Sequence, residues 1–311
     1  MANAQQLPLR PIFIAGPTAV GKSAIALRLA ERCGGEIISV DSMQVYRGLD
    51  IGTAKPAPSD RQRIPHHLLD VAELTEAFDA AKFVTLAQKA VGEIIARGRV
   101  PILCGGTGLY FKAFLEGLGE APPADSALRS ELETTPTQKL LDELHARDPA
   151  TFEKIDQKNP RRVIRAVEVI RLTGRPFSEQ RSNWNSERST RSPELFFGLS
   201  RTPPDLHSRI NVRVDDMFRR GLVEETRQLL EHGLARNQTA LQAIGYRQVM
   251  EHLRGEHSLI ETVELVKSRT RQFAKRQLTW LRKHAVLEWI ELSTASSVND
   301  ALERIAAHLK L

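Results

Sequence analysis

A short apolar stretch that runs into a glycine-rich turn constrains the fold of this chain more than any other feature. The segment 11–23 reads PIFIAGPTAVGKS and fits the pattern G-x-x-x-x-G-K-[ST], and an amphipathic helix is expected over 23–32. This context predicts a phosphate-binding loop, in which backbone N–H groups and the Lys22 ammonium hold a diphosphate while the Ser23 hydroxyl binds Mg²⁺. The loop residues are Gly16, Pro17, Thr18, Ala19, Val20, Gly21, Lys22 and Ser23.

Strands and helices alternate along much of the chain. Further helices are expected at 79–97 and 258–283, and apolar runs predict strands at 11–15, 36–40, 100–104, 195–199 and 286–292. This alternation is typical of an α/β fold in which helices cover both faces of a parallel sheet.

Two polar residues directly follow predicted strands. Asp41 comes after the strand 36–40, and Thr107 lies in the glycine-rich turn after 100–104. Because open parallel sheets bind ligands at the carboxyl ends of their strands, both residues are expected beside the phosphate loop. The position of Asp41 leaves two interpretations open: it caps a turn or holds Mg²⁺ through water, or it is a general base.

The histidines and cysteines do not indicate a metal centre. His66 and His67 are adjacent, so their side chains point to different sides of a strand or helix, and no third ligand is suitably spaced. Cys33 and Cys104 are expected to be free thiols in a reducing compartment. No segment predicts a membrane helix or a secretion signal, so we expect a cytoplasmic protein. We also expect it to act as a monomer.

The middle of the chain predicts a helical insertion. From 121 to 193 one helix follows another with no strand candidate, which makes this segment an inserted all-helical domain in a core formed by 1–120 and 194–311. Asn159 and Pro160 predict the start of a helix. Three arginines of that helix fall on adjacent turns and form either an RNA contact or a solvated basic face: Arg161, Arg162 and Arg165.

The charge distribution points to an anionic macromolecule as partner. The chain has 44 Lys and Arg residues against 38 Asp and Glu residues, a net charge of +6. On the helix expected at 258–283, Lys267, Arg271, Lys275 and Arg282 form one basic stripe, and Arg269, Arg276 and Lys283 form a second. Compensation of the helix dipole explains only the cations near the C-terminus, so an RNA-facing surface is expected.

Six segments, in this order and over nearly the whole chain, resemble the tRNA dimethylallyltransferases, also called tRNA isopentenyltransferases. The resemblance implies a core like that of the P-loop NTPases. It implies transfer of a dimethylallyl group from dimethylallyl diphosphate to the exocyclic amine of the adenine 3′-adjacent to the anticodon of tRNA, with Mg²⁺. The loop would then hold a prenyl diphosphate. The segments are GPTAVGKS, DSMQVYRGLDIGTAKP, GGTGLYFKAFLEGL, NPRRVIRAVEVI, AIGYRQV and RQFAKRQLTWLRK.

The resemblance also implies roles for single residues. Asp41 would be the general base near the acceptor amine, and Thr107 and Arg213 would contact the diphosphate oxygen that leaves. With the basic helix included, the residues expected to contact the anticodon stem-loop are Asp41, Ser42, Met43, Gln44, Thr107, Arg129, Arg161, Arg162, Arg165, Gly245, Tyr246, Arg247, Arg271 and Lys275.

Two other classes of protein share part of this pattern. A small-molecule kinase of the phosphate-loop group would have the same loop and sheet; it predicts turnover of a nucleoside triphosphate and needs no basic helix. A non-catalytic RNA-binding module with a structural phosphate site predicts tRNA binding without a product.

Overall fold

A computed structural model describes residues 9–180, 195–237, 239–293 and 298–309. Within these ranges, six strands form one sheet in the order β3-β2-β4-β1-β5-β6, and every neighbouring pair is parallel. The strands are β1 (Ile12–Ala15), β2 (Gly35–Val40), β3 (His66–His67), β4 (Val100–Gly105), β5 (Phe196–Arg201) and β6 (Glu288–Leu292). The α/β fold and the five expected strands are confirmed, with ends that differ by one or two residues.

The strand β3 was not expected from the sequence. It has two residues, too few to show an alternating pattern, and it pairs with β2 at the edge of the sheet. His67 Nε2 lies 2.7 Å from Glu36 Oε2, and His66 Nδ1 lies 2.7 Å from the Ile64 carbonyl oxygen. The two rings therefore bind separate partners.

Local capping signals set the ends of several helices. Asp79, Asn159 and Ser258 each accept a backbone N–H of the first turn that follows them, and Gly34 ends the first helix with φ 65°. The helices are α1 (Lys22–Cys33), α2 (Pro58–Arg63), α3 (Ala80–Ala96), α4 (Gly108–Glu116), α5 (Ser126–Thr134), α6 (Thr137–Arg147), α7 (Pro149–Phe152), α8 (Pro160–Thr173), α9 (Phe177–Gln180), α10 (Pro203–Arg219), α11 (Leu222–Glu231), α12 (Tyr246–Leu253), α13 (Leu259–His284) and α14 (Val298–Leu309).

Apolar side chains on both faces of the sheet build two separate cores. Along β1, Phe13 and Ala15 belong to one buried cluster, whereas Ile12 and Ile14 belong to the other. Because both faces of the strand are covered, its sequence is a continuous apolar run rather than an alternating one. Burial on both faces holds the strand in place within the sheet. The loops of the site follow directly from the ends of strands held in this way.

The chain divides into two compact units. One comprises Met1–Phe114 and Thr190–Leu311, and the other comprises Leu115–Ser189. The second unit contains helices and no strand among its described residues, and its apolar core includes Leu132, Leu144 and Val167. Among the described helices, none is long and apolar enough to cross a membrane.

Candidate active site

Three turns of the sheet begin at the same level because the strands before them pair in register. Ala15, the last residue of β1, pairs with Gly105 of β4, and Gly105 pairs with Val40, the last residue of β2. The phosphate loop, the turn that starts at Asp41 and the turn that contains Thr107 therefore leave one edge of the sheet side by side. A parallel sheet binds its ligands at this edge.

The phosphate loop contains backbone conformations that favour glycine. Gly21 has φ 117°, and a Cβ on Gly16 would lie 2.8 Å from the carbonyl oxygen of Leu199. Ala19 adopts φ 63° although it carries a side chain. This left-handed conformation costs about 1–2 kcal/mol for a residue with a Cβ, so contacts from outside the loop must stabilise it.

Lys22 begins α1 and is partly removed from water. Its Nζ donates to the Pro17 carbonyl oxygen at 2.8 Å. Desolvation lowers the pKa of Lys22 to about 8; the charge of Arg213 lowers it further, whereas the Asp41 carboxylate acts in the opposite direction. These side chains therefore share one electrostatic environment, in which a bound anion would raise the pKa of the lysine again.

Three arginines hold successive residues of the phosphate loop. Arg201 Nε donates to Val20 O at 2.8 Å, Arg209 Nε donates to Ala19 O at 2.9 Å, and Arg213 Nη1 donates to Thr18 Oγ1 at 3.3 Å. The sequence predicts a role for Arg213 only. The four-residue spacing of Arg209 and Arg213, which places both on one face of a helix, was the available signal for a pair.

Within the described residues, no carboxylate compensates the charge of Arg213. Arg201 pairs with Asp205 at 2.6 Å, but no acidic partner of Arg213 lies in the described part of the chain. Burial lowers the pKa of Arg213, and the neighbouring charge of Arg209 lowers it further. A partly buried guanidinium beside the phosphate loop, with no counter-charge among the described residues, favours an anionic ligand.

Asp41 and Thr107 are connected through the turn that follows β2. Asp41 Oδ1 accepts the N–H groups of Met43 at 2.8 Å and Gln44 at 3.3 Å, so it caps this turn. For Asp41 Oδ2, the described residues provide no hydrogen-bond partner. Thr107 Oγ1 accepts the Ser42 N–H at 3.2 Å, which leaves the hydroxyl proton for another acceptor. Both interpretations of Asp41 thus stay compatible: one oxygen caps and the other is available.

The glycine-rich turn after β4 does not offer its first amides to a ligand. The N–H groups of Gly106 and Thr107 both donate to the Val40 carbonyl oxygen at 3.2 Å. These two amides are therefore bonded within the protein rather than directed at a ligand. The hydroxyl of Thr107 is the group that this turn can present to a ligand.

One residue of the site, Gln277 of α13, was missed by sequence reasoning. Its Oε1 accepts the Thr18 N–H at 2.9 Å, and its Nε2 donates to the Gly106 carbonyl oxygen at 3.0 Å. The side chain is 8% exposed. A glutamine within a basic helix carries no pattern that would reveal such contacts in advance.

Two residues expected to contact tRNA are engaged inside the protein. Gln44 accepts from Ser39 Oγ at 2.9 Å and donates to Thr53 O at 3.0 Å. Tyr246 is fully buried; its hydroxyl donates to Glu225 Oε1 at 2.5 Å. A fully buried side chain cannot reach RNA, so the predicted tRNA contact at Tyr246 stays a prediction for its backbone and not for its ring. Its neighbour Arg247 is exposed and pairs with Glu251 on its own helix.

In the helical unit, the four arginines expected to contact tRNA fall into two groups. Arg129 Nη2 and Arg165 Nη1 donate to Glu168 Oε2 at 2.6 and 2.7 Å, and Glu168 is fully buried. These two guanidinium groups compensate a buried carboxylate, which is a structural requirement. Arg161 and Arg162 are exposed on the first turn of α8.

The basic helix α13 presents only part of its charge to solvent. Lys267 pairs with Asp215 at 2.7 Å, and Arg271 Nη1 donates to Asn211 Oδ1 at 2.6 Å, so the start of the first stripe faces α10. The exposed cations are Arg269, Lys275, Arg276, Arg282 and Lys283. The guanidinium of Arg276 lies 5.9 Å from the centre of the Phe273 ring.

The oxygen donors near the loop fit a magnesium ion. Among the described residues, no group of three His, Cys, Asp or Glu side chains could hold a metal by itself. Mg²⁺ commonly takes one or two protein oxygens and completes its shell with water and substrate phosphates. The Ser23 hydroxyl at the end of the loop and a carboxylate oxygen of Asp41 belong to this class of donor.

Comparison with known proteins gives one consistent family. The model of the family described as "IPP transferase" matches residues 44–284. The tRNA dimethylallyltransferase 1 of Trichlorobacter lovleyi is 47% identical over 285 residues, which cover 90% of this chain and 93% of that protein. The tRNA dimethylallyltransferase of Geobacter sulfurreducens is 44% identical over 297 residues, 94% of each chain.

Solved structures agree with the sequence matches. The full-length tRNA isopentenylpyrophosphate transferase from Bacillus halodurans superposes with a TM-score of 0.69 at 39% identity and covers 97% of both chains. The structure of a eukaryotic dimethylallyltransferase, an enzyme described as acting on tRNA, has a TM-score of 0.78 at 30% identity. It covers 96% of this chain, which in turn covers 78% of that protein.

Proposed function

This chain belongs to the IPP transferase family, and on that premise we propose that it is a tRNA dimethylallyltransferase. The proposed reaction moves a dimethylallyl group from dimethylallyl diphosphate to the exocyclic amine of the adenine 3′-adjacent to the anticodon. The observation that carries the proposal is the in-register convergence of three turns, which brings Asp41 and Thr107 to the edge of the sheet where Arg213 contacts the phosphate loop.

The diphosphate is the group that the site stabilises. As the bond between the allylic carbon and the diphosphate oxygen breaks, negative charge develops on that oxygen. Arg213, which lacks a carboxylate partner in the described chain, and Lys22 supply positive charge. The Thr107 hydroxyl donates a hydrogen bond to the diphosphate, since its oxygen already accepts the Ser42 N–H. Mg²⁺, which Ser23 would hold, would neutralise further charge on the diphosphate.

The acceptor amine loses a proton as it forms the new carbon–nitrogen bond. Asp41 is the proposed base. Its Oδ1 is held by the backbone of the next turn, so the carboxylate has a fixed direction and Oδ2 can take the proton. General-base catalysis of this kind contributes a factor of about 10² to 10⁴. The balance is one bond broken to the diphosphate, one formed to nitrogen and one proton moved to Asp41.

Exposed cations support binding of the anticodon stem-loop. Arg161 and Arg162 on α8 and Lys275 and Arg276 on α13 are solvent-exposed and suited to RNA phosphates. An adenine in the anticodon loop is unpaired, which reduces the few kcal/mol that extrusion of a base from a duplex requires.

The test is a nucleoside digest of tRNA after incubation with the protein, dimethylallyl diphosphate and Mg²⁺. Mass spectrometry is expected to find one adenosine heavier by a dimethylallyl group, located beside the anticodon, and an equal amount of released diphosphate. Hydrolysis or transfer of the γ-phosphate of ATP in the absence of dimethylallyl diphosphate would favour the kinase alternative instead. tRNA binding without modification would favour the non-catalytic RNA-binding module.

A further inference from the structure

We infer that Gln277 is a positioning residue of the diphosphate site, through which α13 fixes the phosphate loop and the glycine-rich turn relative to each other. The inference rests on the proposed function for its consequence in catalysis. Its structural basis is independent of that function. Gln277 lies 259 residues after Thr18 in the chain and 171 residues after Gly106, and it hydrogen-bonds both.

The two hydrogen bonds use both ends of one side-chain amide. The oxygen accepts the Thr18 N–H, and the nitrogen donates to the Gly106 carbonyl oxygen. A carboxylate could make the first bond but would repel the carbonyl, and an ammonium could make only the second. A buried neutral amide of this length therefore fits both turns at once, and truncation would leave two polar backbone groups without their partner.

The residues next to these contacts are those proposed to act on the diphosphate. Thr18, whose N–H is fixed by Gln277, accepts the guanidinium of Arg213 on its hydroxyl at 3.3 Å. Gly106, whose carbonyl is fixed, immediately precedes Thr107. Gln277 thus orients the peptide of Thr18, whose hydroxyl contacts Arg213, and the peptide of Gly106, which leads into Thr107. This role does not require Gln277 to touch the diphosphate itself.

The packing of α13 on the glycine-rich turn agrees with this role. A Cβ on Gly106 would collide with the amide of Gln277, and a Cβ on Gly108 would collide with the ring of Trp280, one turn further along α13. Both glycines therefore permit close approach of the helix. Ala274 and Leu281, which flank Gln277 on the same face, are buried.

The test compares Gln277→Met and Gln277→Glu with the matched control Gln272→Met, which changes an exposed glutamine of the same helix. Hydrogen exchange of the ligand-free protein is measured for peptides that cover 16–23 and 105–108. Calorimetry measures the affinity for inorganic pyrophosphate with Mg²⁺. For Gln277→Met we expect about tenfold faster exchange in both segments, whereas Gln277→Glu, which keeps an acceptor for the Thr18 N–H, should speed exchange mainly at 105–108. Pyrophosphate binding should be about tenfold weaker for both variants, and the control should keep wild-type values.

Steady-state kinetics separate positioning from general damage. A positioning role predicts a lower kcat and a higher KM for dimethylallyl diphosphate, with a KM for the anticodon stem-loop within twofold of wild type. Wild-type exchange and pyrophosphate affinity in Gln277→Met would overturn the inference. If one of the two Gln277 variants fails to fold, the comparison uses the other variant, since both replace glutamine by a side chain of similar volume. If the wild type binds pyrophosphate but transfers no prenyl group, the proposed function fails while the exchange data still decide the role of Gln277.

Discussion

Tyr246 is buried and the adjacent Arg247 is exposed, so substitutions at the two positions distinguish a structural contact from the proposed RNA contact. The hydroxyl of Tyr246 accepts the Gly52 N–H at 3.1 Å and donates to Glu225, which also accepts the Ile51 N–H at 2.8 Å. These bonds hold residues 51 and 52 in the loop that follows Asp41. The same loop begins with the turn that Asp41 caps. The substitution Tyr246→Phe removes the hydroxyl and keeps the ring that fills the core.

The expected loss follows from the bonds removed. A hydrogen bond to a charged group contributes about 1.5–3 kcal/mol net to the free energy of unfolding. The Gly52 N–H retains Glu225 Oε1 as an acceptor at 3.3 Å, so the loss consists chiefly of the bond between the tyrosine and Glu225. Tyr246→Phe is therefore expected to lower the free energy of unfolding by about 2 kcal/mol.

Denaturant unfolding, hydrogen exchange and RNA binding test this assignment together. Amides at 51 and 52 are expected to exchange faster in Tyr246→Phe, while the salt dependence of stem-loop binding stays at the wild-type slope. The control Arg247→Gln changes the adjacent residue, whose side chain is 62% exposed, and is expected to leave stability within about 0.5 kcal/mol. Wild-type stability of Tyr246→Phe combined with a changed salt slope would refute the reasoning and return Tyr246 to the RNA surface.

Three further predictions concern the proposed base, the loop lysine and the basic helix. Asp41→Asn is expected to lower the single-turnover rate at least a hundredfold with stem-loop affinity within a few fold, and a mutant with more than about a tenth of the rate would exclude Asp41 as the base. Because desolvation lowers the pKa of Lys22 to about 8, its positive charge is present below that pH; pyrophosphate affinity should fall as pH rises through 8, and Lys22→Arg should move this loss to higher pH, as calorimetry at several pH values would reveal. Replacing Lys275 and Arg276 by glutamine is expected to reduce the logarithmic salt slope of stem-loop binding by about 0.7 per contact, whereas Lys267→Gln, whose parent side chain is paired with Asp215, should leave the slope unchanged; equal slopes in both would assign the exposed cations to solvent.

The parts of the fold that could be predicted are those with local causes. Continuous apolar runs mark β1 and β4, and the pattern around Lys22 defines a loop that needs its glycines whatever surrounds it. The two-residue strand β3 could not be predicted, because its place in the sheet depends on the exposed edge of β2. The expected order of the other strands and helices is confirmed because local signals determine it.

Sheet topology made the candidate site predictable where residues follow strands, whereas Arg213 was predicted from the family resemblance. Asp41 and Thr107 lie where parallel topology requires, but the contacts of Gln277 join segments that no sequence period relates. Periodicity placed Lys267 and Arg271 on one face of α13. It could not reveal that α10 covers that face through Asn211 and Asp215, because helix packing is a property of the whole chain.

The acceptor preference tests the central claim most directly. Remote contacts on the RNA can position and unstack the target base, so a truncated acceptor should lose rate as well as affinity. The measurement compares kcat/KM for dimethylallyl transfer to an anticodon stem-loop with that for transfer to AMP, at fixed dimethylallyl diphosphate and Mg²⁺. We predict efficient transfer to the stem-loop adenine and at least a thousandfold lower efficiency with AMP, about 4 kcal/mol of lost transition-state stabilisation. Comparable efficiency with AMP, or no transfer to the stem-loop, would contradict the assignment of this chain as a tRNA dimethylallyltransferase.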